Sequence, residues 1–294
     1  MTRAPRPDFI IIGAMKCATS TLHVQLAAQP GFHMSTPKEP NFFSDDAQYA
    51  RGLDWYRGLF TEAPADALRG ESSTHYTKRP TYPRTLERLR EELDGAPLKL
   101  IYLMRHPVER LVSHYIHEWS QGVISSGIDQ ALDAHPEMVE YGCYASQLEP
   151  WIEAFGREAV LPLFFEGLKA YPQRTLERAC AFLGHEGEPR WVEEQAAQNV
   201  SAQRMRKSPT RDRIAAFPPL KWLRRTFVPE SLRERIKSRW TMTERPELGV
   251  DARAAVEDRF DRDLARLGSW LGMELDCANW REVTKDAEPA WATD

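Results

Sequence analysis

Cysteine is scarce in this sequence, and its few copies lie far apart. The four cysteines are Cys17, Cys143, Cys180 and Cys277. They form no Cys-x-x-Cys pair and no cysteine–histidine spacing typical of a zinc site, so we expect no metal centre of that kind. Such scattered cysteines fit a reducing cytoplasm, which is where we expect the protein to act.

Long apolar runs are also missing. No stretch approaches the roughly 20 apolar residues that a membrane-spanning helix needs, and the opening residues MTRAPRPDF contain no secretory h-region. There is no internal repeat and no low-complexity tract. With 42% apolar residues, 28% charged residues and a net charge of −4, the composition is that of an ordinary soluble protein. We expect one domain over residues 1–294.

Positive charge is concentrated in one part of an otherwise acidic chain. Residues 204–239 contain 12 Lys or Arg and 3 Asp or Glu, which leaves a net charge of −13 on the rest. The segment is either a solvated helical face or a basic wall for a polyanionic cofactor or acceptor. Prolines interrupt it, so we expect a loop-rich insert at about 201–247. The acidic remainder and the lack of an RNA- or DNA-binding motif argue against a nucleic-acid partner.

Four apolar segments predict β-strands, at residues 9–12, 68–71, 98–104 and 160–165. Their near-continuous apolar character, clearest in the first and third, is typical of a buried parallel sheet. Helical patterns alternate with them, which predicts βαβ units. We therefore expect an α/β fold in which helices flank a mostly parallel sheet, with a C-terminal amphipathic helix at about 251–271.

Residues 9–22, FIIIGAMKCATSTL, have the order strand, turn, helix start. Such a turn directs backbone N–H groups and the positive end of a helix dipole at one point, which suits a phosphate or sulfate. Lys16 adds a full positive charge there, and Thr19, Ser20 and Thr21 add hydroxyl donors. The alternative is a plain turn with a solvated lysine, because short loop motifs also match by chance.

Residues 99–115, KLIYLMRHPVERLVSHY, place an arginine at the end of another buried strand. Pro107 suits the first turn of the following helix, and Ser113 lies about two helical turns beyond Arg105. The planar guanidinium of Arg105 would bind a second phosphate together with Ser113, unless it only makes a cap or a structural ion pair. Ligands gather beyond the carboxyl ends of strands in open α/β sheets, where both Lys16 and Arg105 are expected.

These two segments resemble the motifs of the sulfotransferase family that uses 3′-phosphoadenosine 5′-phosphosulfate. MKCATST is similar to that family's 5′-phosphosulfate loop, PKxGTT, and YLMRHPVERLVSHY to its 3′-phosphate motif. KEPNFF at 38–43 and GESSTHY at 70–76 resemble segments of heparan-type N- and O-sulfotransferases. LDWYRGLF at 53–60 and the triplet at 199–201 resemble bacterial members. The resemblance covers nearly the whole chain and weakens between about residues 204 and 243.

The resemblance implies a three-layer, P-loop-like α/β fold and in-line transfer of a sulfuryl group from this donor to a hydroxyl or amine, without a metal. It also implies that Arg105 and Ser113 hold the 3′-phosphate, and that Lys16 stabilises the leaving oxygen. The residues that it places on the 5′ side of the nucleotide are Lys16, Cys17, Ala18, Thr19, Ser20 and Thr21.

Two residues are candidates for the base that takes the acceptor's proton. Glu39 comes first, because the resemblance of KEPNFF places a glutamate in that role; burial beside Phe42 and Phe43 would have to raise its pKa. His75 comes second, by resemblance to small-molecule sulfotransferases that use a histidine base. The alternatives are a surface ion pair of Glu39 with Lys38 and a structural histidine.

Departures from the family pattern define further expectations. Ala18 replaces the usual loop glycine, so we expect a backbone without positive φ at that position. Cys17 is interpreted as a small filler, although a helix N-terminus would lower the pKa of a nucleophilic thiol. Residues 165–167 read FEG where members often have YED. A KGR-type motif near the C-terminus is missing, and the residues that would substitute for it are Arg204, Arg206 and Lys207.

Other functions predict different features. A P-loop kinase needs GxxxxGK[ST] and an aspartate for Mg²⁺ after a second strand, whereas this chain has no GK[ST] and places Arg105 after that strand. A silent nucleotide-binding or scaffold protein would keep Arg105 and Ser113 but lack a base. The resemblance of KEPNFF favours a sugar or polysaccharide acceptor, and a lipid, peptide or small metabolite also remains open.

Overall fold

The computed structural model describes residues 5–93, 95–196, 242 and 244–292. Five parallel strands form one sheet in the order β2-β3-β1-β4-β5. The strands are β1 (Phe9–Gly13), β2 (Phe32–Met34), β3 (Leu68–Ser72), β4 (Lys99–Met104) and β5 (Val160–Phe164). This confirms the four predicted strands and the parallel α/β fold. The fifth, β2, escaped prediction because three half-buried residues are too few to show a period.

Helices flank the sheet and join successive strands. Those that the structure describes are α1 (Thr19–Ala27), α2 (Asp46–Tyr49), α3 (Leu53–Gly58), α4 (Thr85–Leu93), α5 (Pro107–Gln121), α6 (Ile128–Ala134), α7 (Glu137–Glu140), α8 (Tyr144–Phe155), α9 (Phe165–Ala170), α10 (Pro172–Leu183), α11 (Glu193–Ala196), α12 (Val250–Leu271) and α13 (Trp280–Asp286). Two 3-10 helices span Thr74–Thr77 and Arg157–Ala159. The predicted C-terminal helix is α12, whereas the expected insert at 201–247 lies almost entirely outside the described residues.

The sheet is the centre of the core because β1, β4 and β5 are apolar on both faces. All five residues of β1 are buried, and so are all but the first of β4. Proline and glycine set the helix ends as expected: α5 begins with Pro107 and ends before Gly122, which is in the left-handed conformation. These rigid ends fix where the loops leave the sheet. No described helix is both long and apolar enough to cross a membrane.

Candidate active site

The loop between β1 and α1 has an unusual backbone. Lys16 has φ of 70° and Ala18 has φ of 67°. The expectation that Ala18 would avoid positive φ is therefore wrong, because the chain turns sharply enough from the strand into the helix to force alanine into the glycine-like region. Such strain costs about 1–3 kcal/mol and is characteristic of ligand sites.

Positive φ also occurs at Glu39 and Asn41, with values of 56° and 50°. These two residues lie in the KEPNFF segment that was compared with heparan-type enzymes. Within the described part of the chain, every non-glycine residue with positive φ therefore belongs to one of two candidate site loops. The strained positions lie in the Lys16 loop and in the KEPNFF segment, both of which the sequence analysis compared with sulfotransferase motifs.

The N-terminus of α1 is open to an anion. Ala18 is the N-cap residue and offers no side-chain cap, so the first backbone N–H groups have no side-chain acceptor. Thr19 is buried in the first turn, and Ser20 and Thr21 are half-buried beside it. Burial raises the pKa of Cys17 to about 11. Cys17 is therefore a neutral thiol, which agrees with the filler interpretation and not with a nucleophile.

One tyrosine ties the Lys16 loop to the Arg105 loop. The Tyr144 hydroxyl donates to the Arg105 carbonyl at 2.5 Å and accepts from the Arg105 N–H at 3.2 Å. The same hydroxyl lies 3.8 Å from the Cys17 sulfur. Burial and then the charge of Arg105 lower the pKa of Lys16. The two cations therefore lie at one edge of the sheet, close enough to repel each other.

Arg105 lies at the wall of a cavity of about 520 Å³. Its guanidinium is 4.7 Å from the centre of the Phe165 ring and 3.2 Å from Glu109. Glu109 also pairs with Arg281 at 2.8 Å and with Arg245 at 2.5 Å. Three arginines are thus gathered on one carboxylate. This cluster supplies positive charge from the C-terminal part of the chain, whereas Arg204, Arg206 and Lys207 lie outside the described residues.

The start of α5, directly after Arg105, is held by the FEG segment. Glu166 accepts a hydrogen bond from the His106 N–H at 3.0 Å. His106 is the N-cap residue of α5, but its side chain makes no cap; instead Nε2 lies 2.9 Å from the Cys277 carbonyl. Ser113 lies half-buried two turns further along α5.

Glu39 is ion-paired, and its side chain is 32% exposed. The Lys38 ammonium is 2.6 Å from Oε1, and the Thr74 hydroxyl approaches the same oxygen at 3.5 Å. Burial raises the pKa of Glu39, but the charges of Lys38 and Lys78 outweigh it, so the net effect is a lowered pKa. The expected rise in pKa is wrong, because the charge of Lys38, the ion-pair partner given as the alternative, and that of Lys78 together outweigh burial beside Phe42 and Phe43.

His75 stacks on Tyr82, with ring centres 4.5 Å apart. Burial and the charge of Lys78 lower the pKa of His75 to about 4, so the imidazole is neutral near pH 7. Its Nδ1 is buried without a hydrogen-bond partner among the described residues. Glu71 is fully buried on β3, and burial raises its pKa to about 7.

Two cations of the site were not identified from sequence. Arg110 on α5 is fully buried, and its charge acts on Cys17 and Tyr144. Lys78 directly follows the 3-10 helix and is 9% exposed. Arg110 occupies one position of an amphipathic helix, and Lys78 lies in a segment that ends in Arg79-Pro80. Neither pattern contains a signal of burial.

The chain is similar to one protein family and to several known proteins. A model of the sulfotransferase domain matches residues 6–268. Heparan sulfate glucosamine 3-O-sulfotransferase 3B1 of Mus musculus is 28% identical over 187 residues, which cover 60% of this chain and 46% of that protein. Bifunctional heparan sulfate N-deacetylase/N-sulfotransferase 2 of Homo sapiens is 26% identical over 203 residues, with 60% and 22% coverage. The matched region is thus less than half the length of either relative.

A solved structure has the same fold. A sulfotransferase from Alicyclobacillus acidocaldarius superposes with a TM-score of 0.65 at 24% sequence identity, covering 94% of this chain and 99% of that one.

Proposed function

The chain belongs to the sulfotransferase domain family, and we propose that it transfers a sulfuryl group from 3′-phosphoadenosine 5′-phosphosulfate to a hydroxyl or amine. The observation that carries this proposal is the contact of one hydroxyl, that of Tyr144, with both cationic loops. A nucleotide with charge on its 3′ and 5′ carbons needs two such grips on one sheet edge. Neither a P-loop kinase nor a silent scaffold explains this arrangement together with a nearby carboxylate.

In this proposal each group has a defined role. The N–H groups and hydroxyls at the start of α1, from Thr19, Ser20 and Thr21, hold the 5′-phosphate, and Arg105 and Ser113 hold the 3′-phosphate. Lys16 stabilises the bridging oxygen, which keeps the electron pair when its bond to sulfur breaks. Glu39 accepts the proton of the acceptor as the new oxygen–sulfur or nitrogen–sulfur bond forms.

Glu39 is preferred to His75 as the base. Its carboxylate is charged near pH 7 and partly exposed, so an acceptor can reach it. The His75 imidazole has a pKa of about 4 and is stacked on Tyr82, which makes it a weak base. His75 then contributes by shaping the pocket beside Glu39.

The acceptor that we propose is a sugar hydroxyl or amine in a carbohydrate. Support comes from the relatives named for heparan sulfate, a polysaccharide, and from the KEPNFF segment. We also propose that the enzyme acts in a bacterial cytoplasm, since its four cysteines are free and buried and two sequence segments resemble bacterial members.

The proposal is tested by incubating the protein with ³⁵S-labelled donor and a panel of acceptors: unsulfated and N-sulfated heparosan oligosaccharides, a lipid, a peptide and small phenols. Transfer of label to a sugar is the expected result. Tight binding of adenosine 3′,5′-bisphosphate without transfer to any acceptor or to water would instead identify a nucleotide-binding scaffold.

Arg105→Ala is expected to weaken the binding of adenosine 3′,5′-bisphosphate by roughly 10- to 150-fold, since a charge-assisted hydrogen bond contributes about 1.5–3 kcal/mol. Titration calorimetry measures the change. The control is Arg253→Ala, because Arg253 pairs with Glu257 on the exposed face of α12. Equal affinities of both variants and the original protein would remove Arg105 from the site.

A further inference from the structure

Lys78 is a largely buried lysine. Its residue is 9% exposed, and its ammonium makes neither a hydrogen bond nor an ion pair with any residue that the structure describes. Its Nζ lies 5.7 Å from the centre of the Tyr141 ring. An ammonium has three donors, so that of Lys78 is able to bind a further acceptor.

The backbone around Lys78 is fixed against the loop that holds Lys16. The Thr77 hydroxyl donates to the Ile12 carbonyl at 2.7 Å, and the Lys78 N–H donates to the His75 carbonyl at 3.1 Å. Gly13 makes this contact possible, since a Cβ there would collide with the Thr77 hydroxyl and the Tyr102 ring. The backbone that carries Lys78 is therefore fixed beside the end of β1.

The charges around Lys78 locate it within the proposed site. Burial, together with the charges of Arg110 and Lys16, lowers its pKa to about 8, against the opposing effects of Glu39 and Glu118. The charge of Lys78 in turn lowers the pKa of Glu39, and the charge of Glu39 acts to raise the pKa of Lys16. Lys78 thus lies within electrostatic reach of both the proposed base and the lysine at the leaving oxygen.

We propose that Lys78 is a further catalytic residue, whose ammonium binds the nonbridging oxygens of the sulfuryl group between Lys16 and Glu39. This inference rests on the proposed function. The sulfur leaves the bridging oxygen beside Lys16 and bonds to the acceptor atom beside Glu39, so its three other oxygens pass between these side chains. Lys78 keeps its proton throughout, and the acceptor's proton goes to Glu39.

The test compares Lys78→Met, Lys78→Arg and a matched control, Lys99→Met. Lys99 also lies near an aromatic ring, 5.5 Å from the centre of Phe182, but at the opposite end of β4. The assays are transfer of ³⁵S from labelled donor to N-sulfated heparosan, release of labelled sulfate to water without acceptor, and calorimetric binding of adenosine 3′,5′-bisphosphate. That bisphosphate has no sulfuryl group, so Lys78 should not affect its affinity.

We expect Lys78→Met to lower both transfer and release by roughly 10²-fold or more, as for the loss of one oxyanion donor. Bisphosphate affinity should change by less than about 3-fold, and Lys78→Arg should recover part of the activity. Thermal unfolding separates this result from misfolding: replacing a largely buried ammonium with an apolar side chain should leave the Tm of Lys78→Met equal or higher. Lys99→Met should retain its turnover.

Three outcomes would overturn the assignment. Turnover of Lys78→Met within 3-fold of the original protein would show that the ammonium is not needed. A fall in bisphosphate affinity as large as the fall in turnover would place Lys78 on a phosphate of the nucleotide, and a change confined to the KM for heparosan would place it on the acceptor. An unmodified protein that neither binds the bisphosphate nor transfers label would instead defeat the proposed function itself.

Discussion

Replacing Lys16 with alanine is expected to lower the rate of sulfuryl transfer by roughly 10²–10³-fold, equivalent to about 3–4 kcal/mol of transition-state stabilisation. The ammonium acts on charge that develops on the bridging oxygen only as the bond to sulfur breaks. Its contribution to nucleotide binding should be far smaller, because the start of α1 and Arg105 still hold the phosphates. Single-turnover kinetics with labelled donor, together with bisphosphate titration, measure the two effects separately.

Lys16→Ala and Arg105→Ala are compared for their effects on turnover and on bisphosphate affinity. The first should act mainly on turnover and the second mainly on affinity. Lys99→Ala serves as a control, since Lys99 donates to the Phe182 carbonyl at 2.7 Å, away from the site. Small and equal effects of the two site variants would contradict the whole arrangement.

Glu39→Gln is expected to reduce turnover by roughly 10²–10⁴-fold, the usual contribution of a general base. The amide keeps the shape of the side chain but cannot accept the proton. Nearby cations hold the pKa of Glu39 below its usual range, so its carboxylate is charged above that pKa and activity should fall only as pH drops through it. The acidic limb of the pH–rate profile should therefore lie below the usual pKa of a glutamate side chain and vanish in the variant.

Two further variants are measured beside Glu39→Gln: His75→Gln tests the alternative base, and Glu87→Gln is a surface control. Glu87 lies on the exposed surface of α4 near Arg84, and its replacement should leave both rate and profile unchanged. If His75→Gln lost activity and Glu39→Gln kept it, the histidine would be the base and the assignment of Glu39 would be wrong.

Much of the fold could be predicted from sequence because its signals are local. The apolar runs at β1 and β4 are long and continuous, so both strands were located within one residue of their observed bounds. Pro107 marked the start of α5 in the same way. By contrast, the three residues of β2 are too short for a periodic signal, and only their pairing with β3 makes them a strand.

Some features of the candidate site could likewise be predicted from sequence, and others could not. Lys16 and Arg105 could be identified because each directly follows a strongly predicted strand, and parallel strands direct their carboxyl ends to one edge. The backbone at Ala18 could not, since the turn that forces its positive φ depends on how α1 packs. The pKa of Glu39 was only partly predictable: Lys38, the cation that lowers it most, is the adjacent residue, whereas Lys78, which lowers it further, is 39 residues away in sequence.

The sequence by itself determined the alternation of strands and helices, the two cationic loops and the family that they resemble. These features depend on neighbouring residues, because both the hydrophobic period and the chemistry of a loop are local properties of the chain. Folding in three dimensions decided the rest: which charges share a pocket, which of them lose their water, and how far each pKa moves. Lys78 illustrates the division, since a lysine beside a proline turn looks solvated in sequence and becomes largely buried only when its segment packs against β1 and its ammonium approaches the Tyr141 ring.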